Sequence, residues 1–327
     1  MKSSGIGGQA LMEGVMMRNG DKYAMSVRKP DKTIQVEVRE YHSIFGNGGW
    51  LRLPFIRGIF NFVDSLVIGM GSLNFSASIY ETEEEDGQEP GKFEKWMEKT
   101  FGDKAEKVLT NFVMVVSIII AIGVFVLLPA FLGNLLKNVI ENQFVVNLLE
   151  GLFRITIFIL YVWLISFMSD IKRTYMYHGA EHKCINCIEH GLPLTVENVA
   201  KSSRQHKRCG TSFMLIVMVI SVLVFMLVNT ETIWMRFLSR ILLIPVVAGL
   251  SYEFLKLAGN TDNKIVNALS QPGLWLQGLT TAEPDDTMIE VGIASVNAVF
   301  DWKKWQKENL GIDYPEAETA PDDANAD

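Results

Sequence analysis

The sequence predicts an α+β membrane protein. It should have about four transmembrane helices, a small N-terminal antiparallel β-meander and a helical C-terminal region. Three observations predict it. Four long apolar runs sit among polar segments of a 327-residue chain. The first forty residues alternate with the period of strands. A region that reads as short helices and turns follows the last apolar run.

Residues 1–50 are read as the meander. QALMEGVMMR leads into Asn19-Gly20, a hairpin signal, and Lys22–Arg28 and Thr33–Glu40 flank Pro30-Asp31. Ile34, Val36 and Val38 alternate with polar residues, as in a half-buried strand. Gly5, Gly7, Gly8 and Gly14 let a backbone approach its neighbour closely. They do not form the GxGxxG of a nucleotide loop. The N-terminus lacks the long apolar core of a secretory signal.

Residues 51–80 are apolar but interrupted by Arg57, Asn61, Asp64 and Asn74. They suit an interfacial or re-entrant helix, or a helix buried under the meander, and are not counted as a span. Residues 81–110 read as an acidic linker and an amphipathic approach to the membrane.

A bilayer core needs about 20 apolar residues in a helix. Within 111–169 two runs qualify, Val113–Leu136 and Leu152–Met168; within 213–258 two more follow, Phe213–Val228 and Phe237–Ala258. Orientation follows from the basic residues of the short loops. The 170–212 loop carries Lys172, Arg173, Lys183, Lys201, Arg204, Lys207 and Arg208, whereas the loops on the other side carry one basic residue each. This loop and both termini are therefore expected to be cytoplasmic, in a protein of the cell membrane. Residues 259–314 form the cytoplasmic C-terminal region, and 315–327 an acidic tail with a disordered composition. Net charge is −7, with no polybasic tail, so nucleic acid is not an expected partner.

The chemistry is concentrated in the 170–212 loop. It holds four of the five histidines and all three cysteines, Cys184, Cys187 and Cys209. An odd count in a reducing compartment favours metal or free thiols over disulfides. In His178-Gly-Ala-Glu181-His182 the two histidines are i and i+4, one turn apart on a single helical face. That spacing lets two imidazoles hold one zinc, or another divalent transition metal. Glu181 beside them is placed to act as a base. A catalytic site needs a third ligand and an open position. Glu253, an acid near the end of the fourth span, is a candidate third ligand; the bland reading pairs it with Lys256. A competing pattern is Cys184-x-x-Cys187 with His206-x-x-Cys209, which would close a structural zinc site. A mixed set drawing on His178, His182, His206 and Cys187 or Cys209 is the third possibility.

Several blocks carry a family resemblance: GGQALMEGVMMR, YHGAEHK, HKRCGTSF, SYEFLK and PGLWLQGLTTAEPDD. Together they resemble the signature blocks of the bacterial YqhQ family, multi-pass membrane proteins of unknown function that are regarded as metal-dependent enzymes. The resemblance runs from Gly7 to about Ala298. It implies a site on His178, Glu181, His182, His206 and Cys209, with Glu13, Glu253 and Glu283 inside other blocks. Cys184 departs from the small polar residue expected at its position, which favours Cys187 and Cys209 as the thiols.

Two functions follow from these residues. One is a metal-dependent hydrolase at the membrane surface, with Glu181 as base and a membrane-protein or lipid-linked substrate. The other is a non-enzymatic membrane factor in membrane-protein biogenesis or quality control. It would bind client helices, and its metal would be structural or absent.

Overall fold

The structure, a computed structural model, describes residues 2–46, 48–49, 53–84, 100, 102, 105–228, 233–261 and 263–314. Most of the expected 81–110 linker and the 315–327 tail lie outside the described residues.

The meander is a four-stranded antiparallel sheet in the order β1 (Gly7–Leu11), β2 (Gly14–Asn19), β3 (Lys22–Arg28), β4 (Ile34–Glu40). QALMEGVMMR is not one strand. It folds back at Met12-Glu13, with Leu11 opposite Gly14 and Glu13 at φ 50°. The next hairpin closes on Asn19 opposite Lys22, with Gly20 at φ 61° supplying the left-handed residue that tight hairpin turns require. β4 is a sheet edge, and Val36 and Val38 are more exposed than the alternation suggests.

The sheet is the middle layer of three. One face packs Leu11, Met16, Met25 and Val27 on Ile68 of helix α1 (Ile56–Glu84). The other packs Val15 and Met17, with Ile6, on α5 (Ser169–Glu189) and α10 (Asp286–Val299). Ser295 of α10 donates to the Val15 and Ala24 carbonyls, tying that helix to the two central strands.

The apolar runs form helices. They are α2 (Ala105–Ile122), a π-turn at Gly123–Leu127, α3 (Leu128–Leu136), α4 (Gln143–Ile165), α7 (Gly210–Met226) and α8 (Ile233–Asn260). The chain 112–136, α4 and α8 are long and apolar enough to cross a membrane, and so is Ile56–Tyr80 of α1. The segment not counted as a span thus joins that set, while α7 is shorter. In α1, Asp64, Ile68, Ser72 and Ser76 recur every four residues on a buried face. There Tyr41 donates to Asp64 at 2.9 Å, and Ser76 accepts from the Met12 N–H. The reading of a helix under the meander therefore describes its packing.

The remaining elements are α6 (Val196–Lys201), α9 (Lys264–Thr280) and α11 (Trp302–Leu310). The expected 170–212 loop is largely helical, and α4 does not run unbroken into α5. The chain turns at Ser166–Met168, where Met168 is extended, and α5 restarts at Ser169. The break precedes the histidines, so their spacing on one helix survives it.

Candidate metal centre

Three elements bring the site together. α5 carries His178, Glu181 and His182; Cys209 is the N-cap of α7; and the end of α9 supplies Thr280. One ligand atom from each of His178, His182 and Cys209 lies within 4.8 Å of the other two. The imidazole rings sit 4.4 Å apart, centroid to centroid.

Backbone carbonyls set both tautomers. His178 Nδ1 lies 2.8 Å from the Thr280 carbonyl, and His182 Nδ1 lies 2.6 Å from the Arg204 carbonyl. A carbonyl only accepts, so each Nδ1 carries a proton, and in the neutral ring it is Nε2 that offers the lone pair. His178 Nε2 points at Cys209 Sγ, 3.2 Å away. His182 Nε2 is buried without a hydrogen-bond partner. Metal-binding imidazoles are commonly oriented in this way, with the second nitrogen anchored.

Cys209 caps α7, its sulfur 3.4 Å from the Thr211 N–H. Burial alone would raise this thiol, but His178 and His182 beside it bring it well below its ordinary value. The helix N-terminus favours the thiolate in the same direction. His178, although buried, is correspondingly raised to about 9 by the facing sulfur. With no ion between them, thiolate and imidazolium pair. With an ion, the same atoms are its natural donors.

Glu181 is buried, and burial raises its pKa. The Gly8 N–H of β1 donates to its carboxylate, while Oε2 has no hydrogen-bond partner. Gly8 is needed for this approach, since a Cβ there would overlap the Met16 carbonyl and touch the Glu181 side chain. Gly14 likewise packs on the Ser26 carbonyl, whereas Gly5 and Gly7 face open space. On β1, Gly7, Gly8 and Gln9 line a cleft of about 420 Å³ shared with Ser65, Ile68 and Tyr252 of α1 and α8.

The other candidate ligands lie elsewhere. His206 turns its ring toward Glu189, Nε2 to Oε2 3.5 Å, and is not in the group of three. Cys187 faces the Leu192 and Pro193 carbonyls, and burial pushes its thiol up to about 11. Cys184 packs against Gly292 of α10. The CxxC pair is thus divided between two environments, and no closed site forms with His206 and Cys209. Glu253 forms a two-pronged pair with Arg57 of α1, at 2.5 and 2.7 Å, and accepts from the Phe55 N–H. It joins α1 to α8 rather than completing the site, and its main partner is Arg57 instead of Lys256. Glu13 grips Arg173 of α5 and accepts from the Tyr177 hydroxyl at 3.2 Å. Glu283 is exposed and sits 3.1 Å from Lys183 Nζ.

Two residues that shape the site were missed in the sequence. Gln277, fully buried on α9, accepts from the His206 N–H at 2.8 Å and donates to the His206 carbonyl at 2.7 Å. It thereby fixes the turn that carries Cys209. Glu189 is a buried carboxylate holding Arg208, the Ser4 N–H and the Ser4 hydroxyl. Only its place at the end of the histidine helix, seven residues past His182, could have pointed to it.

Fold and site together define a class: a membrane protein with a His, His, Cys group that could bind a metal beside a buried carboxylate. A family model described as "Protein of unknown function (DUF1385)" matches residues 53–302, and the chain belongs to that family. It is similar to "Uncharacterized protein YqhQ" of Bacillus subtilis (strain 168), 37% identical over 307 residues. The match covers 93% of this chain and 94% of the relative, in agreement with the resemblance of the signature blocks. No solved structure matches.

Proposed function

We propose that the protein is a metal-dependent hydrolase of the membrane surface. His178, His182 and Cys209 hold zinc or another divalent transition metal, and Glu181 is the proton-accepting residue. One observation carries the reading. Two imidazoles with Nδ1 anchored leave their Nε2 atoms beside Cys209, next to a buried carboxylate oxygen with no hydrogen-bond partner. Three protein donors leave a tetrahedral ion one position short, as in catalytic zinc sites. An ion bound there supplies a Lewis acid at that open position.

Glu181 is suited to hold a proton. Burial raises its pKa, and the Gly8 N–H keeps its carboxylate in place. His178 and His182 are restrained by α5 and by two carbonyls, so the pair need not reorganise during turnover. The substrate is expected to be membrane-associated, a membrane protein or a lipid-linked molecule. This fits a site at the root of α7 and a cleft flanked by α1 and α8, both made of apolar runs. The basic residues of 170–212 favour the cytoplasmic side.

The test has two parts. Full-length protein purified without chelator should contain close to one metal equivalent, by elemental mass spectrometry. That metal should be lost in His182→Ala and Cys209→Ser and kept in Glu181→Gln. Vesicles of native membrane extract containing wild type or Glu181→Gln at equal metal occupancy are then compared for released peptides and headgroups. Release that depends on Glu181 supports the hydrolase. Equal release with metal retained would leave a structural metal and favour the non-enzymatic factor.

A further inference from the structure

The helix α9 was read from sequence as part of a soluble C-terminal region, yet its surroundings are those of a membrane element. Its buried side packs on the membrane helices. Leu276 belongs to one core with Phe158 and Val162 of α4 and Leu215 of α7, and Gly273 lies against Ser212. Its exposed side is divided. Ile265, Ala268, Leu269, Pro272 and Trp275 recur at three- and four-residue intervals and form an apolar stripe. Ile265 is 71% exposed, Leu269 59% and Trp275 58%. Beside this stripe, Lys264, Asn267, Gln271 and Gly278 form a polar strip.

α9 does not cross the bilayer. Both of its ends are held at the same level. Asn267 accepts from Lys207 at 3.1 Å, Gln277 donates to Ser212 at 2.7 Å, and the Thr280 carbonyl meets His178. The whole helix therefore lies across the N-terminal end of α7.

We propose that α9 is an in-plane membrane helix, its Ile265–Leu269–Trp275 stripe set into the lipid and its Asn267–Gln271 strip facing water. The occupant of the stripe is the bilayer itself. The helices on which α9 packs, α4 and α7, themselves expose apolar residues, among them Leu160, Leu164, Met214 and Val219, that suit the same lipid. A tryptophan on such a stripe and a lysine on its polar side are the residues expected at a headgroup boundary. Because Thr280 of this helix holds His178, the inference places the His178–His182–Cys209 group at headgroup depth. It does not depend on whether that group binds metal or performs hydrolysis.

The proposal is tested by depth measurement in the full-length chain, reconstituted in phosphatidylethanolamine–phosphatidylglycerol vesicles. Nitroxide labels are placed singly at Ile265→Cys, Leu269→Cys, Trp275→Cys, Gln271→Cys and Gly278→Cys, and the labelling of the parent chain is subtracted. Exposure to oxygen is compared with exposure to a water-soluble nickel chelate by electron paramagnetic resonance. Positions 265, 269 and 275 should share one depth and favour oxygen several-fold over 271 and 278. Equal nickel access at all five positions overturns the proposal. So does a depth that increases steadily from 265 to 275, which is the pattern of a re-entrant helix. Spin–spin broadening at 269 that disappears on dilution with unlabelled protein would assign the stripe to a second copy and overturn it too. All five substitutions are at exposed positions, and retention of thermal stability in each confirms that the labels report the native fold.

Discussion

His182 spends one ring nitrogen on the Arg204 carbonyl and keeps the other without a partner. Such an orphan is costly in a buried site unless something binds there. Glu189 shows the opposite case, a buried carboxylate fully answered. Burial would raise its pKa, but His206, Arg208 and Ser4 bring it down to about 2, from an ordinary 4.5. Its folded value is depressed, so its contribution to stability is complete above about 4.5 and is lost as pH falls toward about 2. That contribution is roughly 3 kcal/mol. The thermal stability of the full-length protein should therefore fall as pH drops from about 4.5 toward about 2, and Glu189→Gln should lower stability at neutral pH and flatten that dependence. An unchanged pH profile in the variant would show that other carboxylates dominate. The residue scale is also where the sequence was partly opaque. His178 and His182 could be paired from their spacing, because a helix fixes which residues share a face. Which of His206, Cys187, Cys209 and Glu253 would join them depended on contacts across the fold.

Among the elements, α5 matters most, since it carries both histidines and Glu181 and is buried over its second half. It can lie close to the α9–α10 connection because position 179 has no side chain. A Cβ on Gly179 would overlap the Ala282 carbonyl, whose own N–H donates to Tyr175 at 2.8 Å. Gly179→Ala should therefore cost about 1–3 kcal/mol through overpacking. It should also displace Thr280 from His178 and weaken metal retention. A lowered thermal midpoint together with weaker metal binding is the expected pair of results; a midpoint equal to wild type would show that the connection yields. The strand periodicity and hairpin glycine of the meander were legible locally. The Met12-Glu13 reversal was not, since it rests on a non-glycine residue at positive φ, held in part by the Glu13–Arg173 pair. The helix over 56–84 was hard to place because it is apolar on one side and carries polar groups for the sheet on the other.

At the scale of the molecule, the sheet, α5, α10 and α11 form one packed body. Its core joins Ile6 of the N-terminal segment to Trp302 and Trp305 of α11. The connection at 137–142 and the end of α7 at 227–228 should open on the other side of the membrane. In sealed cells, an impermeant maleimide should label cysteines introduced at Lys137 and Leu227 but not at Lys22 or Lys303. The reverse pattern would invert the orientation expected from the basic residues of 170–212. By itself the sequence determined the membrane class, the sheet, and the facing of His178 and His182, because hydrophobic length, period-two alternation and helical spacing act over neighbouring residues. Only the tertiary structure decided that Cys209 joins His178 and His182, that Glu253 serves Arg57, and that α9 lies across the start of α7. Those choices depend on which distant segments pack together, and a linear pattern of residue types does not contain those distances.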